Sequence, residues 1–229
     1  AQVALLEQSQ DRLDVLAADV EDRFQKARKL AAELTARRRR ATSAFEEALH
    51  KELRVLHLSQ AKIAVCIEPY GEPGTLGPNG SDRVQFLFSA NTGEPLQPLA
   101  RVASGGECSR VMLALKTVLA AHDTVPVLVF DEIDAGIGGA VATAIGTRLR
   151  NLARYPQVLC VTHAPQVASQ AQAQIHVEKS AQDHRTVTVA RHLEPAARQE
   201  VIARMLGGLP VTARLLRAAA ELLKGAGKS

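Results

Sequence analysis

The chain has 229 residues, and its 46% share of hydrophobic residues is ample for a packed core in one or two domains. It has no apolar run of 18 or more residues and no signal-peptide pattern, so we expect an intracellular protein with no membrane partner. The net charge of +4 permits contact with nucleic acid, but the 3% share of aromatic residues argues against a base-stacking platform for single strands.

The first part of the chain predicts one very long helix. Residues 1–68 contain no glycine or proline, and an apolar residue recurs at every seventh position from Leu6 to Val55. A helix ending near residue 57 would be about 85 Å long and could not bury this stripe against itself. We therefore predict a coiled-coil arm segment at 1–58, with a surface helix on the globule as the alternative. Because no N-cap precedes the heptads, we expect the chain to begin inside a longer arm.

Residues 59–229 alternate between strand and helix patterns. Strands are predicted at 62–68, 83–89, 126–131 and 157–161, followed by a hairpin of 175–179 and 186–190. Helices are predicted at 105–121, 138–153, 196–206 and 211–223. The helix near 105 presents an apolar face made of Val111, Leu115, Val118 and Leu119. This order predicts an α/β layer with parallel central strands.

Two adjacent acids end the apolar strand at 126–131. Asp131 and Glu132 would point to opposite faces of the chain. Such a pair suits two duties in nucleotide hydrolysis: one acid holds a hydrated Mg²⁺ ion, and the other orients or deprotonates the attacking water. The alternative is a strand that ends in a solvated acidic turn.

Ser104-Gly105-Gly106-Glu107 opens the helix near residue 105. Serine at the N-cap and glutamate three residues later form a capping box, and the two glycines allow a phosphate to approach the helix N-terminus. Taken alone, this pattern is also that of an ordinary helix cap. Thr162-His163 follows the next strand, at the sheet edge where parallel strands place ligand groups; a loop histidine with a structural partner is the alternative.

Two other features favour structural explanations. The three cysteines, Cys66, Cys108 and Cys160, are far apart in apolar or helical surroundings and are predicted to be unreactive buried thiols. The chain ends Gly227-Lys228-Ser229, which resembles the end of a phosphate-binding loop. A working loop of that kind needs a strand before it and a helix after it, whereas here a helix is predicted before it and nothing follows.

Three stretches in this order resemble the bacterial RecN family, the SMC-like DNA repair ATPases. They read Val102-Ala103-Ser104-Gly105-Gly106-Glu107-Cys108-Ser109-Arg110, Phe130-Asp131-Glu132-Ile133-Asp134-Ala135-Gly136 and Val161-Thr162-His163-Ala164-Pro165-Gln166-Val167-Ala168. The resemblance covers essentially the whole chain. It implies the returning arm of a coiled coil followed by the C-terminal half of an ABC-type ATPase head, acting in recombinational repair of DNA double-strand breaks at the nucleoid.

The resemblance also implies roles for individual residues. Two heads would sandwich two ATP molecules, with Ser104, Gly105 and Gly106 contacting the γ-phosphate of ATP held by the opposite head. Glu107 belongs to the same cofactor-binding segment, and Asp134 would contact the partner head. Asp131 would serve Mg²⁺, Glu132 the attacking water, and His163 a γ-phosphate switch.

The phosphate-cradling first half of such a site is absent from the sequence. No strand–Gly-x-x-x-x-Gly-Lys-Ser/Thr–helix pattern is present, so we expect the chain to need an N-terminal half-head of the same protein, and to be inactive alone. Homodimerisation through the heads and DNA binding are expected of the complete protein. Another SMC-like or RecF-like ATPase, or a non-enzymatic coiled-coil scaffold, remains as an alternative.

Overall fold

The computed structural model describes residues 2–72, 74–101, 105–182 and 185–226. Its first elements are α1 (Gln2–Val55), β1 (Lys62–Pro69), β2 (Asp82–Ser89), β3 (Gln97–Pro98) and a 3-10 turn (Leu99–Arg101). They are followed by α2 (Gly105–Leu119), β4 (Val127–Phe130), α3 (Gly139–Leu152), β5 (Gln157–Cys160) and α4 (Pro165–Gln170). The last elements are β6 (Ile175–Gln182), β7 (Arg185–His192), α5 (Pro195–Gly207) and α6 (Ala213–Ala226). The predicted α/β class is confirmed.

Helix α1 is unbroken over 54 residues, which corresponds to about 81 Å at about 1.5 Å per residue. Residues 10–30 are exposed throughout, and the heptad side chains Leu13 and Val20 are 59% and 64% exposed. Their companions Leu16 and Leu30 are 59% and 65% exposed. The long helix is therefore confirmed, and its first half stands clear of the other described residues. The partner helix of the predicted coiled coil stays a prediction.

The second half of α1 packs on the globule. Leu49, Leu53 and Leu56 are almost fully buried in the main core. The side chain of Glu46 accepts a hydrogen bond from the amide of Val65 in β1 at 2.7 Å, and Glu52 pairs with Arg148 of α3 at 2.6 Å. The last turns of the helix thus belong to the same core as the strands. The predicted boundary at residue 58 lies just after the helix ends.

The β1–β2 hairpin also holds the middle of α1. Asp82 accepts hydrogen bonds from Thr35 at 2.7 Å and Arg38 at 3.3 Å, and Arg38 donates to the carbonyl of Asn79 at 3.0 Å. The side chain of Asp82 is nearly buried, so this ion pair is shielded from water better than a surface pair. The neighbouring Arg37, Arg39 and Arg40 are exposed.

Strands β4 and β5 form the predicted parallel pair, with Val127 opposite Gln157 and Phe130 opposite Cys160. One face of this pair lies in the main core, where Leu128 and Phe130 are buried. The opposite face is uncovered in the described part of the chain, and its four apolar side chains are Val127, Val129, Leu159 and Val161. We call these four residues the open sheet face.

The remaining elements follow the predictions closely. Strands β6 and β7 form the closing antiparallel hairpin, and α5 and α6 enclose a small second core around Ile202, Ala203 and Ala219. Short elements that the sequence did not predict are β3, the 3-10 turn and α4. The predicted face of α2 was partly wrong, because Leu113 is buried whereas Leu119 is 37% exposed. No helix in the described ranges is both long and apolar enough to cross a membrane.

Candidate functional site

The structure brings together residues from all three predicted motifs at one edge of the β4–β5 pair. Asp131 follows β4 directly, and Thr162 lies two residues beyond β5. Because the strands are parallel, both segments leave at the same edge. The first turn of α2 packs against this edge, where the Ser109 hydroxyl donates to the backbone carbonyl of Asp131 at 2.8 Å.

Glu132 occupies a backbone conformation that is unusual for its residue type. Its φ of 55° lies in the left-handed region, where a non-glycine residue costs on the order of 1 kcal/mol. The turn is closed by a hydrogen bond from the Ala135 amide to the Glu132 carbonyl at 3.0 Å. Strained backbone of this kind is concentrated at functional sites, which makes the turn 131–135 a candidate site.

The glycines of α2 permit close contact with this turn. A Cβ atom added at Gly105 would lie 2.5 Å from Oε2 of Glu132. A Cβ atom at Gly106 would lie 3.1 Å from both the Glu132 carbonyl oxygen and the Ala135 Cβ. The predicted water-activating acid therefore lies directly against the predicted phosphate-contacting glycines of the same chain. Glu107 lies in the first turn of α2, as predicted, and Ser104 lies outside the described residues, so its capping role stays a prediction.

Arg110 is a member of this site that the sequence reasoning missed. Its side chain is buried at 7% exposure, and Nη1 donates to the Ala135 carbonyl at 3.2 Å. Its Nε has no hydrogen-bond partner among the described residues. Burial lowers the pKa of the guanidinium, and the nearby charge of Glu107 opposes that shift. The sequence did contain a signal for Arg110: it is a charged residue one turn after two glycines, on the buried side of a helix.

Asp134 connects the turn 131–135 to the segment after β5. Its side chain is buried, and Oδ2 accepts hydrogen bonds from the Thr162 hydroxyl at 2.5 Å and from the amides of His163 and Ala164 at 3.0 Å each. Burial on its own would raise the pKa of Asp134, but these hydrogen bonds outweigh it, so the pKa lies below its ordinary value. The carboxylate therefore stays ionised although it is buried. Its predicted contact with a partner head stays a prediction.

The side chains of His163 and Asp131 are open to solvent. The imidazole of His163 is 83% exposed, and its Nδ1 lies 3.5 Å from Oδ2 of Asp134. Oδ1 of Asp131 accepts a hydrogen bond from the Glu132 amide at 2.9 Å, and the residue is exposed. In the described ranges no group of three or more His, Cys, Asp or Glu residues is arranged to hold a metal ion. One exposed carboxylate fits the protein's share of an Mg²⁺ site in which phosphates and water supply the other ligands.

The structure describes the three cysteines but not the C-terminal Gly-Lys-Ser sequence. All three cysteines are free, and each is half-buried, so the prediction that they are buried was wrong. Burial, followed by the charges of Asp134 and Asp131, raises the pKa of Cys160 to about 12. This thiol is therefore unreactive, as predicted for it. A helix does precede the C-terminal Gly-Lys-Ser sequence, because α6 runs to Ala226, but residues 227–229 lie outside the described part.

The fold and the site define an α/β protein with a long helical arm, in which a strand-end acid pair, a glycine-rich helix start and a threonine–histidine segment share one sheet edge. No protein-family model matches the chain. It is 41% identical over 199 residues to the DNA repair protein RecN of Xylella fastidiosa, covering 87% of this chain and 36% of that protein.

Two further relatives agree with this match. The DNA repair protein RecN of Vibrio cholerae is 38% identical over 222 residues, covering 97% of this chain and 40% of that protein. The protein of the same name from Treponema pallidum is 50% identical over 148 residues, covering 65% of this chain and 26% of that protein. Over the region that it shares with these relatives, the chain belongs to the RecN family. It spans less than half of their length.

Solved structures of SMC proteins also match part of the chain. One comes from work on ATP-driven dimerisation and DNA-stimulated activation of SMC ATPases; it has 16% sequence identity and a TM-score of 0.44, and the match covers 75% of this chain and 97% of that one. Another is the Smc head domain with a coiled coil and joint derived from Pyrococcus yayanosii. It has 17% identity and a TM-score of 0.49, covering 70% of this chain and 28% of that one.

Proposed function

We propose that this chain is the C-terminal part of a RecN-like ATPase, consisting of an arm segment (1–58) and half of an ABC-type head (59–229). In the complete protein, ATP would close two heads on each other, and the arms would couple that closure to tethering DNA at double-strand breaks. The family relationship supports this proposal, and so do the names of the relatives, which are DNA repair proteins.

The observation that carries the proposal is the convergence of the three motifs at one sheet edge. The presence of the three motifs in the sequence does not require them to be in contact. The glycine-rich helix start need not pack against the strained acidic turn, and that turn need not form hydrogen bonds with the threonine–histidine segment. In the structure both contacts occur, through Gly106 and through Asp134. In a pair of heads, the glycine-rich helix start would approach the ATP held by the opposite head, and the acid and the histidine would act on the ATP held by their own head. The packing within one chain would place these two surfaces side by side.

Each residue then has a distinct duty. The exposed Asp131 would ligate the water shell of Mg²⁺, and Glu132 would orient the water that attacks the γ-phosphate. The exposed imidazole of His163 would contact the γ-phosphate. Ser104, Gly105 and Gly106, with Glu107 in the same turn, would face ATP bound to the opposite head, where helix-start amides favour negative charge. ATP bound with Mg²⁺ supplies the reactive phosphate and the cation that neutralises it.

The other half of the head would supply what this sequence lacks. The sequence contains no strand–glycine loop–helix pattern, and we therefore expect these 229 residues by themselves neither to bind ATP tightly nor to hydrolyse it. The open sheet face supports a missing covering layer, since Val129 and Val161 are 66% and 62% exposed and parallel sheets are normally covered on both faces. We propose that the N-terminal half-head of the same protein covers it.

The first test is Glu132→Gln in the full-length protein. The amide keeps the size of the side chain but cannot accept the proton of the attacking water, so ATP turnover should fall by a factor of about 100 or more while ATP binding persists. Turnover is measured as phosphate release, and binding with a fluorescent ATP analogue. Asp123→Asn is the matched control, because Asp123 pairs with Lys116 at the far end of α2. Unchanged turnover in Glu132→Gln would refute the assignment.

A non-enzymatic coiled-coil scaffold is the second candidate function, favoured by the exposed heptad stripe on α1. It differs from the first in one measurable respect, because a scaffold would assemble equally well with and without nucleotide. Another SMC-like or RecF-like ATPase would share the chemistry of the head, and the full length of the arm would separate it from a RecN-like protein.

A further inference from the structure

The clearest unassigned feature of the site is a single buried oxygen that gathers several donors. Oδ2 of Asp134 accepts the Thr162 hydroxyl and two consecutive amides, and it faces Nδ1 of His163 at 3.5 Å. The side chain is only 2% exposed. All of these contacts lie within the chain.

These contacts fix the segment that carries His163. Ala164 is the N-cap of α4 and makes no side-chain cap hydrogen bond of its own, so its amide is satisfied by Asp134 and by the Thr162 hydroxyl at 3.0 Å. The imidazole of His163 is exposed, and its backbone amide is bound by the same carboxylate oxygen. Asp134 therefore holds the backbone from which the imidazole leaves the sheet edge, and it approaches the ring itself only at Nδ1, at 3.5 Å.

The same turn is anchored on its other side to α2. Arg110 binds the Ala135 carbonyl, and the close approach of Gly106 to the Glu132 carbonyl leaves little room for the turn to shift. Asp134 thus lies between the acid Glu132 and the histidine. A displacement at either one must strain its hydrogen bonds.

We propose that Asp134 is a positioning residue for hydrolysis: it acts through His163, holding the imidazole in register with Glu132. The proposal rests on the function proposed above, and it adds a duty inside the chain to the expected contact with a partner head. Its role is to orient, since the buried carboxylate does not touch the reacting atoms.

The test combines amide exchange with kinetics in the full-length protein. Asp134→Ala should speed hydrogen exchange in the peptide containing the amides of His163 and Ala164, while exchange in β7 stays as in the wild type. It should lower kcat between about tenfold and a hundredfold and leave the KM for ATP within about twofold, because orientation and not binding is lost. In a His163→Ala background, Asp134→Ala should lower kcat no further.

Two milder variants keep the proposal testable if Asp134→Ala fails to fold. Thr162→Val removes one donor and should give a smaller loss of the same kind, and Thr162→Ser should restore the wild-type values. Wild-type exchange at 163–164 in both Asp134→Ala and Thr162→Val, or independent multiplying effects of Asp134→Ala and His163→Ala on kcat, would overturn the proposal. Hydrogen exchange does not depend on ATP turnover. A protein without ATPase activity would therefore refute the proposed function, and the exchange result would still show whether Asp134 holds the backbone at residues 163–164.

Discussion

The close contact between α2 and the acidic turn is possible because Gly106 has no side chain. Gly106 has an ordinary helical position. A Cβ atom added there would meet the backbone carbonyl oxygen of Glu132, which cannot move aside as the end of a flexible side chain could. The turn that would have to move is held by Arg110 through Ala135 and by Ser109 through Asp131. The glycine is therefore required by packing, whether or not it also contacts a phosphate.

Gly106→Ala should lower the free energy of unfolding by about 1–3 kcal/mol, the usual cost of overpacking a rigid site. The measurement is urea unfolding of the full-length protein. Gly139→Ala is the matched control, because the added Cβ would meet only the Gln166 side chain at an ordinary 3.6 Å. That variant should be neutral or slightly stabilising, since alanine restricts the unfolded chain. Equal stability of the two variants would contradict the packing argument.

Helix α1 combines two different surfaces. Its first half presents an exposed apolar stripe, and its second half is held by the β1–β2 hairpin and by the main core. The strong contact between Asp82 and Thr35 lies near the change from one surface to the other. The hairpin therefore fixes the direction in which the arm leaves the globule.

If the stripe pairs with a second helix, a charge placed within the stripe should lower the stability of the arm, whereas a charge outside the stripe should not. Leu30→Asp should lower the thermal stability of the arm in the full-length protein and increase its proteolysis, because an unpaired carboxylate would enter an apolar seam. Ala32→Asp places the same charge on the outward face and should leave both values unchanged. Identical behaviour of the two variants would favour a solitary surface helix.

The sequence predicted these elements well where it contained a long heptad repeat of apolar residues or a clear strand end. The heptads predicted α1, and the apolar runs predicted β4, β5 and their parallel pairing. Short α4 was missed because six residues hold too few turns for a periodic signal. Leu113 was left out of the predicted apolar face of α2, because the buried face is wider than the four positions of that prediction.

The candidate site was predictable as a set of residues but not as a set of contacts. Adjacent acids at a strand end and a histidine after the next strand follow from parallel pairing. The buried oxygen of Asp134 and the guanidinium of Arg110 depend on the side chains that happen to face them across the turn. Such contacts have no fixed spacing in the sequence, so only the fold reveals them.

Two of the apolar surfaces that are uncovered in the described part of the chain are the α1 stripe and the open sheet face. Contiguous exposed apolar surface is unusual in a finished protein and marks interaction sites. The matched relatives are more than twice as long as the aligned region. We propose that a second arm helix covers the stripe and that the N-terminal half-head covers the open sheet face.

The most direct test is whether nucleotide controls the association of two heads. Full-length protein labelled for energy transfer between heads is compared without nucleotide, with Mg²⁺ and ATP, and as Glu132→Gln with Mg²⁺ and ATP. We predict separated heads without nucleotide, transient closure in the wild type and lasting closure in Glu132→Gln. Equal closure in the absence of nucleotide would contradict the account.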